Sequence, residues 1–168
     1  MVSVKNLLFI CLAAVSALAA PSPLEAQDTT WKCTNDGKTL VFSQSKAERN
    51  AHQAPLSDGK TGSGYPHWFK NGYDGNGKLT NGLKEPLIKF GKGACDRPPK
   101  HSKNGDAKDD HYLLEFPIYS DGHLYKYDKR PKERPPVARV IYTYPHKDFC
   151  GIVSHTHGNT GPLVPCRK

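Results

Sequence analysis

The sequence predicts an α+β domain, with one short helix packed on a twisted antiparallel sheet and long loops around it. Three observations lead there. The second half of the chain holds four strand-like segments in close succession, DHYLLEFPIY, HLYKYD, VARVIYTYP and FCGIVSHT. Strands joined by short turns pair antiparallel. A single helical stretch, SKAERNAH, lies ahead of them. Between the two runs a long segment from about Ser57 to Asp110 is rich in lysine and in turn dipeptides.

The chain opens on MVSVKNLLFICLAAVSALAA, which reads as a secretion signal: one early lysine, Lys5, then an apolar run, then small residues at Ala17 and Ala19 suited to cleavage. The run is short for a membrane span. PSPLEAQ extends the processed leader, so the expected division is residues 1–27 as signal and leader and residues 28–168 as one domain, secreted into an oxidising compartment. WKCTNDGKTLVF is expected to form a hairpin turning at Asp36-Gly37. Ser45 with Glu48 has the spacing of a capping box for the helix, which Pro55 stops. Asx-Gly turns follow at Asp58, Asn71, Asp74, Asn76, Asn81 and Asn104, with one possible strand, PLIKF, among them. So much irregular chain in a compact domain is either disordered or a functional surface, and Cys95 within it argues for tethering.

About 140 residues past the leader suffice for one domain with a modest core. The leader carries one base, Lys5, and one acid, Glu25, so the rest of the chain keeps the net charge of +8. A basic surface of this size favours polyanions such as nucleic acid or acidic membrane, without choosing between them. Cys11 leaves with the signal. Cys33, Cys95, Cys150 and Cys166 remain, which predicts two disulfides. Three pairings are possible, and one joining Cys33 to Cys166 would close nearly the whole chain, the most helpful to a small core on chain-entropy grounds. No short C-x-x-C pair points to metal, and no N-x-[ST] sequon is present.

Charged residues inside the apolar strands carry the chemistry. Along YLLEFP, Tyr112, Leu114 and Phe116 form one apolar face, and Glu115 shares the other with Leu113. Covering a carboxylate is costly unless something pairs with it or uses it. Arg139 sits within VARVIY and His155 within GIVSH. Each alone reads as a structural ion pair or an edge residue. Three on successive strands can converge on one sheet face. His67, in GYPHWF beside Tyr65, joins them as a fourth member.

A carboxylate, an imidazole and a guanidinium together, on a basic protein without a metal motif, suit cleavage of RNA by its own 2′-OH. A base takes the hydroxyl proton, an acid on the opposite side protonates the leaving 5′-oxygen, and a cation holds the charge building on phosphorus. Glu fits the base, His the acid, and the Arg fork the phosphoryl oxygens. No cofactor is required. His155-x-His157 has the spacing of paired metal ligands, but no third ligand accompanies it.

These residues lie in longer motifs. HAPLSDGKTGS with YPHWF, then NGYDG, KFGK, CDRPPKHSK, DHYLLEFP, ARVIYTYP and FCGI together resemble the fungal ribotoxins, the alpha-sarcin and restrictocin group, from about Trp31 to Cys166. The leader ending PSPLEA resembles that of the family too, with cleavage near Gln27. The resemblance implies a microbial-ribonuclease fold, with Glu115 as general base, His155 as general acid, His67 assisting, Arg139 on the phosphate and Tyr65 in the site. It implies that Asn71 and Leu163 line the site, and that Lys129, Arg130 and Lys132, together with Lys100, His101 and Lys103, grip RNA. It implies disulfides Cys33–Cys166 and Cys95–Cys150. It also implies a monomer without metal or cofactor whose partner is the large-subunit rRNA of the ribosome, cut between G and A in the sarcin–ricin loop, with entry through acidic phospholipid membranes. Specific RNA recognition does target irregular loops rather than duplex grooves. The chain departs from the pattern between Cys33 and Gln44, where it is shorter and lacks the hairpin tip that the family uses to recognise the ribosome. A deletion near Asp128 shifts the basic loop. The alternatives are therefore a secreted purine- or guanine-preferring ribonuclease with reduced ribosome specificity and a basic protein that binds acidic membranes or RNA without catalysis.

Overall fold

The computed structural model describes residues 28–80, 87–102 and 108–168. The expected signal and leader, Lys103, and the turns expected at Asn81 and Asn104 lie outside the described residues. Seven strands and one helix follow in chain order among the described residues. They are β1 (Thr30–Asn35), β2 (Lys38–Ser43), α1 (Gln44–Gln53), β3 (His67–Trp68), β4 (Tyr112–Ile118), β5 (Ala138–Tyr144), β6 (Phe149–His157) and β7 (Thr160–Pro165). The first two form a hairpin of their own, and the others an antiparallel sheet in the order β3-β4-β5-β6-β7.

The hairpin turns at Asp36 and Gly37, both at positive φ (48° and 72°), the geometry that Asp-Gly favours in two-residue loops. Trp31, Cys33 and Asn35 alternate inward from β1. The capping box expected at Ser45 is displaced by two residues. Ser43 is the cap, its hydroxyl accepting from the Lys46 N–H at 3.1 Å. The Ser45 N–H goes instead to Asp28 at 2.9 Å, and Glu48 accepts from the Gln44 amide at 2.8 Å. A serine three residues ahead of a free N–H suffices for a cap, and Ser43 meets that condition as well as Ser45 does. Ala47, Asn50 and Ala51 turn inward, and Pro55 blocks continuation of the helix.

The sheet is covered on both faces, which explains why neighbours such as Leu113 and Leu114 are both buried. On one side α1 lays its alanines against Leu114, Phe116, Val140, Tyr142 and Ile152. On the other, Leu113, Ile141 and Val153 pack with Phe69, Ile88 and the Cys95–Cys150 pair. Each fully buried Leu, Ile or Phe contributes about 1.5–3 kcal/mol relative to exposure. Both expected disulfides are formed, Cys33–Cys166 and Cys95–Cys150.

Carboxylates order the long loop where no ladder exists. Asp74 accepts the N–H groups of Asn76 and Lys78, Asp96 those of Phe90 and Gly91, and Asp110 that of Ser102, the local side-chain capping that Asp favours. Two expected strands are absent. In PLIKF, residues 87–90 pair with no strand, because the Ile88 backbone is held by both ends of the Asn71 amide, at 2.8 and 2.9 Å. HLYKYD makes one isolated bridge, Leu124 to Ile118. Its alternation reflects a coil that buries Tyr125 in the core while the tyrosine hydroxyl donates to the Glu133 carbonyl at 2.8 Å. Two strands were not expected, β3 and β7, and both carry site residues.

Candidate active site

The ladder register places the site. In successive rungs, His67 pairs with Glu115 and Glu115 with Ile141; Arg139 pairs with Val153; His155 pairs with Leu163. Side chains two apart on a strand share a face, as do direct cross-strand partners. Glu115, Arg139 and His155 therefore descend one rung per strand across β4, β5 and β6 on one face, with Arg139 in the middle. His67 flanks the carboxylate end and Leu163 the imidazole end.

Contacts tighten this diagonal at Glu115. His67 Nε2 lies 2.7 Å from Glu115 Oε1, and Arg139 Nε 3.7 Å from Oε2. The carboxylate that looked anomalous in YLLEFP is thus held between two cationic partners. Arg139 is 2% exposed. Its Nη1 donates to the carbonyls of Pro136 and Ala138, and its Nη2 to the Tyr65 hydroxyl at 3.2 Å. The Tyr65 ring lies under the guanidinium at 5.2 Å and stacks on His67 at 4.4 Å. Tyr125 meets Tyr65 edge-on from the core at 5.8 Å.

Both nitrogens of His67 face acceptors, Nδ1 the Gly64 carbonyl at 3.0 Å and Nε2 the carboxylate. Burial by itself pushes the His67 pKa down, but the hydrogen bond and charge of Glu115, with the Gly64 carbonyl, outweigh it and raise the pKa above the ordinary 6.5. The ion pair's contribution from His67 is therefore complete below about pH 6.5 and fades as pH rises through the raised value. In Glu115→Gln the burial and the Arg139 charge remain while the carboxylate's hydrogen bond and charge go, leaving the Gly64 carbonyl as the one raising contact. The His67 titration followed by proton NMR is expected to move downward in that variant; an unchanged titration would show that Glu115 is not its partner.

His155 is oriented differently. Its Nδ1 lies 2.9 Å from the Gly161 carbonyl, so Nδ1–H donates there and Nε2 is the nitrogen left to exchange a proton with a ligand. Gly161 is required for this approach: it sits at φ +75°, and a Cβ there would meet the Thr156 hydroxyl at 2.6 Å. The ladder between β6 and β7 shifts register between His155 and His157, with the extra residue on β7. Among the described residues no group of three or more His, Cys, Asp or Glu is placed to hold a metal ion.

The other expected contacts divide. Leu163 stands beside His155 as expected. The Asn71 amide is occupied by the Ile88 backbone, which makes it a brace for the neighbouring loop. Lys129, Arg130 and Lys132 are exposed on the loop after Tyr127, with Lys129 Nζ 3.8 Å from Glu133. Lys100 is exposed beside Asp109 at 3.4 Å. His101 is not a free basic group: it stacks on Trp68 at 4.5 Å and meets Asp58 at 2.9 Å. Asp58 also accepts the Trp68 N–H at 2.7 Å. Asp58 thereby supports β3 and its His67, a role hidden in the sequence because Asp58-Gly59 reads only as a turn.

Among the described residues, one helix on a curled antiparallel sheet, two disulfides, and a carboxylate, guanidinium and imidazole in line define the class: the protein is an endoribonuclease. The ribonuclease family model matches residues 28–167. The chain is 62% identical to ribonuclease alpha-sarcin of Aspergillus giganteus over 177 aligned positions, covering 99% of each. The crystal structure of restrictocin, a highly specific Aspergillus ribotoxin, superposes with a TM-score of 0.79 at 65% identity, over 83% of this chain and 100% of that one. Restrictocin in complex with a 29-mer sarcin/ricin domain RNA analog superposes equally well, TM-score 0.79 at 62% identity over the same shares. The chain belongs to the fungal ribotoxin family.

Proposed function

We propose that the protein is a secreted toxin that cuts the G–A phosphodiester of the sarcin–ricin loop in large-subunit rRNA and so stops translation. The observation that carries this reading is the Glu115, Arg139, His155 diagonal in a chain of this family. A phosphate over Arg139 has a base on one side and an acid on the other. Glu115 takes the 2′-OH proton. The freed oxygen attacks phosphorus while the bond to the 5′-oxygen breaks, and His155 Nε2 delivers a proton to that leaving oxygen. The products are a 2′,3′-cyclic phosphate and a 5′-hydroxyl. Arg139 neutralises the charge that builds on the non-bridging oxygens. His67 and Tyr65 fix Glu115 and Arg139 in place, and Leu163 shapes the wall beside His155.

The exposed Lys129, Arg130, Lys132 and Lys100 supply backbone contacts, whose contribution falls as salt rises. The restrictocin complex with a sarcin/ricin domain RNA analog supports an RNA loop as the target. Residues 28–168 constitute the mature monomer after the leader is removed, and the net charge of +8 suits both the ribosome and the acidic phospholipid crossed on entry.

A second reading has its own observation. The hairpin ends at Asp36-Gly37 and its turn is bonded back to β6, with the Asp36 N–H on the Thr156 carbonyl. Nothing there projects toward a partner, which favours a guanine-preferring ribonuclease of reduced ribosome specificity. A synthetic sarcin–ricin loop oligonucleotide tests the main reading. One cut between G and A, leaving a cyclic phosphate, is expected; cleavage after every exposed guanine would favour the second.

A further inference from the structure

The short hairpin reaches into the catalytic face. Asn35, buried at the end of β1, donates from Nδ2 to the carbonyl oxygens of His155 at 2.7 Å and Gly158 at 2.9 Å. Asp36 donates its backbone N–H to the Thr156 carbonyl at 3.0 Å and accepts the Gly158 N–H on Oδ2 at 3.0 Å. Four hydrogen bonds thus grip residues 155–158, where the β6–β7 ladder shifts register. A bulge leaves backbone groups outside the regular ladder and re-aims the side chains beside it. Here the carbonyls of His155, Thr156 and Gly158 are taken up by a different part of the chain.

We propose that Asn35 and Asp36 are positioning residues for the proton donor, the hairpin turn acting as a clamp that sets the direction of the His155 imidazole. The ring has two fixed points. One is its own backbone, whose carbonyl Asn35 holds. The other is the Gly161 carbonyl at Nδ1, in β7 directly after the turn that Asn35 and Asp36 grip through Gly158. If the turn shifts, both points shift and Nε2 leaves the line to the departing oxygen. Misplacement of a reacting group by about 1 Å can cost about a hundredfold in rate. The turn at Asp36-Gly37 therefore braces catalysis itself. The clamp rests on the reading of His155 as general acid.

The test is steady-state cleavage of the dinucleoside phosphate GpA, a substrate too small to touch the basic loops, with thermal melts alongside. Asn35→Ala is expected to lower kcat about tenfold or more with KM within about twofold of wild type. Asp36→Gly removes the acceptor without backbone strain, since glycine accepts the positive φ of 48°, and is expected to show a smaller fall in kcat. Asp36→Asn keeps an acceptor oxygen and tolerates that φ, so it is expected to restore the wild-type kcat. Phe42→Leu, in the hairpin's buried side, loosens packing without touching residues 155–158 and is expected to lower the melting temperature while sparing kcat. Wild-type kcat in Asp36→Gly and in any folded Asn35→Ala would overturn the clamp, as would an equal loss in Phe42→Leu. Should Asn35→Ala not fold, the Asp36→Gly and Asp36→Asn pair decides. His155→Gln is the reference: a variant retaining the wild-type rate would overturn the role of His155 itself.

Discussion

Glu115→Gln is expected to lower the rate of RNA cleavage by about 10²- to 10⁴-fold, the range that removal of a general base commonly shows. The amide has nearly the carboxylate's shape but cannot take the 2′-OH proton. It also leaves Arg139, 2% exposed, without its ion-pair partner. Arg139 keeps its bonds to Pro136, Ala138 and Tyr65, so the strand around it should hold. The rate on GpA, measured with the melting temperature of the same sample, separates loss of chemistry from loss of fold. A folded variant within tenfold of wild type would remove Glu115 from the role of base.

Replacing Cys33 and Cys166 together by alanine is expected to produce the largest loss of stability. The bridge spans 133 residues, and chain entropy assigns a loop of that length about 5 kcal/mol. It ties β1 to the chain end, where Lys32 and Arg167 also exchange both backbone hydrogen bonds. A fall in melting temperature of roughly 10 °C or more is expected for a domain of this size, with smaller effects from Cys95→Ala/Cys150→Ala, whose loop spans 55 residues. A reversed order between the two bridges would show that local packing, rather than loop length, sets their value.

The parts of the fold that the sequence reveals are those in which local chemistry and tertiary context agree. Asp36-Gly37 demands a two-residue turn and makes one. The strands β4, β5 and β6 carry long apolar runs, and the glutamate, arginine and histidine within them were legible because each violates its strand's pattern. What stayed hidden depended on distant partners. β3 is two residues long and exists only because His67 and Trp68 lie against Glu115 and Leu114, far too short for any periodicity. β7, TGPLVP, holds two prolines and reads as loop, yet it is an edge strand, where proline is tolerated. HLYKYD failed in the opposite sense: its alternation is real but serves the burial of Tyr125, with one bridge in place of a ladder. Asn35 and Asp36 look like mere turn residues until the β6–β7 bulge is folded against them.

Cleavage of intact ribosomes, compared with the same rRNA stripped of protein, is the most direct measurement. At equal enzyme, wild type is expected to release a single discrete fragment from the 3′ end of large-subunit rRNA in ribosomes, and Glu115→Gln none. A smear of fragments from ribosomes and naked RNA alike would contradict cleavage confined to the sarcin–ricin loop.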